Sequence, residues 1–152
     1  MERNTNDVDR GSPARLTCLA PPRLGRGCVL VVDDDAFART VLGDAMRTRG
    51  FTVIEAASAR QALGTVVRAQ EPPVLVMTDL VMPDMDGRAF LGLLRASRRD
   101  VPIVIVSARV VRGVERELER EGADAVLDKS WGPSTIAEIA EGLLVMQGRR
   151  AA

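Results

Sequence analysis

The sequence predicts a doubly wound α/β fold, one parallel sheet covered by helices on both faces. Three observations lead there. Short apolar runs alternate along the chain with amphipathic segments of helical period. The runs are apolar at consecutive positions, as strands buried on both faces are. Polar residues follow or close the runs: Asp33 and Asp34 after the first, Asp79 after the third, Ser107 at the end of the fourth, Lys129 after the fifth. In such sheets ligands bind beyond the carboxyl ends of the strands, where strand order reverses.

Taken in order, residues 1–27 are rich in Arg, Pro, Gly, Asn and Asp without period, and are expected to form a disordered extension. Cys28-Val-Leu-Val-Val32 is the first strand. Asp35 is placed to cap a helix whose inward face is expected at Phe37, Val41, Leu42, Ala45 and Met46, with Gly50 ending it. Phe51 to Glu55 is a second strand. Ser58-Ala-Arg-Gln61 is a capping box for a helix turning Leu63, Val66 and Val67 inward. After Pro72-Pro73, Val74 to Thr78 forms the central strand, which delivers Asp79 at its carboxyl end. A helix follows Gly87 with Phe90, Leu91 and Leu94 as its stripe. Pro102 to Ser107 is the fourth strand, Val110 to Glu121 a charged helix, Ala123 to Asp128 the fifth strand. Thr135-Ile-Ala-Glu138 reads as a capping box for a last helix lined by Ile136, Ile139, Ala140, Leu143 and Leu144. The sheet-forming domain spans 28–147, and 148–152 is a short tail in which no output domain is expected.

Composition narrows the chemistry. At 152 residues with 21 acidic and 21 basic side chains, the chain suits one domain and has no net field toward nucleic acid or an anionic membrane. No stretch is apolar enough to span a bilayer, and the first residues lack a signal core, so a soluble cytoplasmic protein is expected. The chain contains no histidine, which removes Ser-His-Asp and Cys-His catalysis and His-ligated zinc. Cys18 and Cys28 are not spaced as a CxxC pair and are expected as reduced thiols. Every basic residue is Arg except Lys129, consistent with a site that needs a compact ammonium.

Three carboxylates meeting in one crevice repel one another. At ~4 Å and an effective dielectric of ~20, each pair costs roughly 4 kcal/mol. A hard divalent cation relieves this, and Mg²⁺ favours one or two carboxylates together with waters and a phosphate oxygen. A hydroxyl at Ser107 and an ammonium at Lys129 complete a set suited to phosphoryl transfer. With no histidine and no activated serine or thiol, a carboxylate is the remaining nucleophile.

Val29-Leu-Val-Val-Asp-Asp-Asp35, Thr78-Asp-Leu-Val-Met-Pro-Asp-Met-Asp-Gly87, Ile105-Val-Ser-Ala108 and Asp128-Lys129 together resemble the receiver domain of bacterial two-component response regulators. The resemblance implies a flavodoxin-like sheet of five parallel strands in the order 2-1-3-4-5. It implies Asp79 as phospho-acceptor, Mg²⁺ held by Asp34, Asp79 and the Val81 carbonyl with Asp33 acting through water, and Ser107 and Lys129 on the phosphoryl group. A sensor histidine kinase or phosphotransfer protein would be the donor. A downstream protein would be met through the fourth helix, fifth strand and fifth helix, a face that also serves receiver homodimers. Val81 and Arg109 occupy positions that tune phosphoryl lifetime in the family, and both crowd an attacking water here, so slow self-dephosphorylation is expected. Two departures stand out. Lys129 is followed by Ser130 where the family usually has Pro, predicting a looser loop, and Val126 stands where many members carry a switch aromatic.

Asp84 and Asp86 fail as an EF-hand fragment, because positions one and twelve would be Met82 and Leu93. They fail as a dehalogenase-type nucleophile motif because Pro83 separates them from the strand, and are expected as turn formers. The run Arg112 to Glu121 reads as a solvated helix face. The alternative functions are a receiver-like binding module that works without phosphorylation and a small Mg²⁺-dependent phosphatase.

Overall fold

The computed structural model describes residues 25–108 and 113–151. Residues 1–24 of the extension expected over 1–27, among them Cys18, together with Arg109 and the start of the charged helix at 110–112, lie outside them. Five parallel strands form one sheet: β1 (Cys28–Val32), β2 (Thr52–Ala56), β3 (Leu75–Thr78), β4 (Ile103–Ser107) and β5 (Ala125–Asp128), in the order β2-β1-β3-β4-β5. Between and after them run α1 (Ala36–Thr48), α2 (Ala59–Arg68), α3 (Gly87–Ser97), α4 (Val114–Glu121) and α5 (Pro133–Ala151). Both the fold class and the strand order match expectation.

Side chains alternate across each strand, so consecutive apolar residues supply two cores. Leu30, Val32, Val76, Ile103 and Ile105 face α2, α3 and α4 with Phe90, Leu91, Leu94 and Leu118. Val29, Val31, Leu75, Met77, Val104 and Val106 face α1 and α5 with Leu42, Met46, Ile136 and Ala140. α4 contributes one fully buried residue, Leu118, and is the most lightly anchored of the helices.

Helix boundaries follow local chemistry. Asp35 accepts from the Phe37 and Ala38 N–H groups and starts α1. Ser58 accepts from Gln61 N at 3.1 Å, while the Gln61 carboxamide reaches back to Ala57 N at 2.8 Å, a capping box displaced by one residue. Asp86 accepts from the Arg88 and Ala89 N–H groups and starts α3.

Four expectations are corrected. Phe37 is 78% exposed, because it sits in the first turn of α1 rather than over the core. Val67 is 64% exposed and Ile139 38% exposed: each adjoins a buried residue, Val66 and Ala140, and a helix cannot turn two successive side chains onto the same line. The last helix begins at Pro133, so Thr135 lies inside it and caps nothing at its start. Proline at a first helical position after Gly132 is the start signal, since its missing N–H is one the helix would leave unpaired.

Candidate functional site

β1 carries four buried residues into the crevice, and Asp33 follows in register, its N–H still bonded to Ala56 O at 3.1 Å. The Asp33 side chain is therefore buried, with Oδ1 accepting from Asp35 N at 2.9 Å, while Arg39 donates to its carbonyl at 2.7 Å. Asp34, one residue on, points to solvent. β3 delivers Asp79 the same way, with its N–H on Val32 O at 3.0 Å.

The two oxygens of Asp79 have different roles. Oδ1 accepts from Leu80 N at 2.6 Å and Val81 N at 3.2 Å, which fixes the carboxylate plane. Oδ2 faces Lys129 Nζ at 2.8 Å. The same ammonium lies 2.7 Å from Asp33 Oδ2, so Lys129 bridges the two buried carboxylates. Burial pushes the Asp33 carboxyl above its ordinary value despite the hydrogen bond from Lys129. Burial also opposes the charge on Lys129, but the hydrogen bonds to Asp33 and Asp79 outweigh it and raise the lysine's pKa.

Lys129 opens a 3-10 turn, Lys129–Trp131. The expected loose loop is closed there: Asp128 accepts from Ser130 N at 2.8 Å, a bond proline could not make. That bond holds the Asp128 carboxyl below its usual range. Ser107 is buried at the end of β4 and pairs in register with Asp128, which sets it beside Lys129. Val126, where the family often has an aromatic ring, is partly buried against the α4-side core. Val81 is 63% exposed at the mouth of the crevice.

One carboxylate oxygen from each of Asp33, Asp34 and Asp79 lies within 4.8 Å of the others, close enough for a single ion to gather all three. All three donors are carboxylate oxygens, the hard ligands that a divalent cation such as Mg²⁺ takes, so the donor set fits such an ion.

The loop after Asp79 is shaped by Gly87 and Asp84. A Cβ on Gly87 would meet Leu80 O at 2.0 Å, so only glycine permits this approach. Asp84, expected as a turn former, accepts from Ala59 N at 3.2 Å and Arg60 N at 3.0 Å and thereby reaches the start of α2. The Arg60 N–H chiefly, with that of Ala59, holds the Asp84 carboxyl below its usual range. The Met-Pro-Asp turn is visible in the sequence, but its partner on α2 is not.

The charged face of α4 is also less free than expected. Arg88 on α3 donates to Glu117 at 2.9 Å and Glu121 at 2.7 Å, drawing two like charges one turn apart onto one guanidinium.

The family model of the response regulator receiver domain matches residues 29–141. The chain is 33% identical over 149 residues to the alkaline phosphatase synthesis transcriptional regulatory protein SphR of Synechococcus elongatus, covering 92% of this chain and 57% of that protein. It is 33% identical over 122 residues to response regulator Rre1 of Synechocystis, covering 78% of this chain and 52% of that one. The chain thus spans little more than half the length of these curated relatives. Among solved structures, a CheY-like receiver domain protein from Methanospirillum hungatei superposes with a TM-score of 0.75 at 24% identity, over 84% of this chain and 99% of that chain. Strand order, the acidic crevice with its single lysine, and the match over residues 29–141 agree, and the chain belongs to the response regulator receiver domain family.

Proposed function

We propose that this chain is a receiver that takes a phosphoryl group onto Asp79 and signals by protein contact. The observation that carries the reading is the asymmetric anchoring of Asp79: one oxygen is fixed by two backbone N–H groups and the other faces the Lys129 ammonium. Such a carboxylate is held in one orientation while its outward oxygen remains in a charged, partly open crevice.

In the transfer, a lone pair on an Asp79 oxygen attacks phosphorus in line with a P–N bond of a phosphohistidine on the donor. The P–N bond breaks, its electrons return to the imidazole nitrogen, which is protonated, and an acyl phosphate remains on Asp79. Mg²⁺, held by Asp34, Asp79 and the Val81 carbonyl with Asp33 through water, would supply charge neutralisation for the phosphoryl oxygens. Lys129 contributes a fixed positive charge and Ser107 a hydroxyl at the same end of the sheet.

The size of the switch follows from Lys129. A charged hydrogen bond contributes roughly 1.5–3 kcal/mol, and a full population shift needs ~5.5 kcal/mol. Lys129 already bonds Asp33 and Asp79, so phosphorylation exchanges its contact rather than adding one. With Val126 in place of a ring as well, the conformational shift is partial. The donor is a sensor histidine kinase or phosphotransfer protein, and output passes through α4, β5 and α5 to a protein target, the face that would also serve a homodimer. No helix among the described residues is long and apolar enough to cross a membrane. Exposed Val81 stands where it would hinder attacking water, and slow loss of the phosphoryl group follows.

Trp131 closes the Lys129 turn and is half exposed, so its fluorescence reports the crevice. Titrating Mg²⁺ and then adding an acyl phosphate should change the emission in two steps and add one phosphoryl group by intact mass. Asp79→Asn should lose the second step and the added mass. Labelling that persists in Asp79→Asn would place the acceptor elsewhere, and turnover of a phosphate ester would favour a phosphatase.

A further inference from the structure

We propose that Asp84 is a positioning residue for Mg²⁺: its carboxylate ties the loop bearing the Val81 carbonyl to the first turn of α2. The inference rests on the reading of that carbonyl as a ligand. Between Asp79 and Gly87 the chain leaves β3 and folds back on itself, with Val81 paired to Asp86 as an isolated antiparallel bridge. Asp84 stands within the turn so closed. Its two oxygens fork onto α2, Oδ1 to Ala59 N at 3.2 Å and Oδ2 to Arg60 N at 3.0 Å.

Those N–H groups are among the four that any helix start leaves without an intrahelical partner. Ser58 serves another, that of Gln61. The two caps differ in what they connect. Ser58 belongs to the same segment as α2 and stabilises the helix alone. Asp84 arrives from the loop after the acceptor, 25 and 24 residues away from its partners, and so fixes loop against helix. The Val81 side chain is largely in solvent, so packing of its own side chain does not hold the carbonyl; the turn does. Met82, buried at 7% exposure, and the pairing to Asp86 are the other supports of this turn.

Without the Asp84 fork, the loop retains its course but not its register against α2, and an ion must order the Val81 carbonyl as it binds. Groups that orient a metal ligand typically change affinity by about ten- to a hundredfold. Here the pairing and Met82 remain, which puts the loss near the lower end.

The test compares wild type, Asp84→Ala, Asp84→Asn and Ser58→Ala in Mg²⁺ titrations followed by Trp131 fluorescence, with thermal melts of each without metal. The Mg²⁺ Kd should rise about tenfold in Asp84→Ala. Asp84→Asn should recover part of the affinity, since its amide oxygen still accepts one N–H. Ser58→Ala should lower the Tm and leave the Kd unchanged. An unchanged Kd in both Asp84 variants overturns the proposal, as does an equal rise in Ser58→Ala, which would trace the effect to α2 stability. Wild-type protein that gives no Mg²⁺ response overturns the metal reading beneath it, an outcome separate from either.

Discussion

Lys129 Nζ lies 2.8 Å from Asp79 Oδ2, a contact that joins residues 50 apart in the chain. The lysine occupies, in the metal-free protein, part of the electrostatic role assigned to a divalent ion. Removing it leaves Asp33 and Asp79 facing each other without an intervening charge. Lys129→Ala should therefore destabilise the protein by roughly 1.5–3 kcal/mol without metal. The deficit should shrink when Mg²⁺ is added, because the ion takes over the neutralisation. Urea midpoints with and without Mg²⁺ measure both. A deficit equal under the two conditions would show that Lys129 acts by packing alone.

Gly87→Ala tests the loop after the acceptor. The new methyl would meet a backbone oxygen, not the end of a pliable side chain, so the turn or the start of α3 has to move. Overpacking of this kind costs about 1–3 kcal/mol. The loss should appear in the urea midpoint with an unchanged m-value. A neutral substitution would mean that the loop yields freely at Leu80.

Arg88 tests how α4 is held. Its guanidinium bridges Glu117 and Glu121, and α4 is otherwise anchored mainly through Leu118. In Arg88→Gln the amides of α4 should exchange with solvent faster than in wild type, while those of β1 and β3 stay protected. Raising the salt should move wild type toward the variant, because exposed pairs are screened. Uniform loss of protection across the sheet would instead point to a global effect.

Acid sensitivity should centre partly on Glu141. The hydrogen bonds from Arg26 and then Arg49 hold its carboxyl below the ordinary value. A group depressed in the folded state adds stability above its unfolded pKa, and that contribution is lost as pH falls through the folded one. Glu141→Gln should thus lower the Tm near neutrality and flatten its fall toward acid. Parallel curves for the two proteins would assign the acid transition to other carboxylates.

Much of this architecture was legible in the sequence because buried parallel strands are apolar at every position. The carboxyl ends of parallel strands lie along one edge of the sheet, and that alone brings Asp33, Asp79 and Lys129 together. What escaped was the part that depends on partners far along the chain. Period alone put Phe37 on the inner face of α1, but cannot say where the sheet beneath a helix stops. Asp84 reads locally as a turn residue, and nothing near it announces the N–H groups of Ala59 and Arg60. The start of α5 escapes for a different reason: a capping-box pattern at Thr135 competes with the Gly132-Pro133 signal, and the backbone restriction of proline prevails.

The lone lysine has a chemical consequence. Since every other basic side chain is arginine, the chain offers acylating reagents a single ε-amine, and that amine is clasped between Asp33 and Asp79. Any reagent selective for lysine is thereby selective for the crevice, and the rate at which that atom reacts becomes a direct gauge of whether the crevice is shut or vacated.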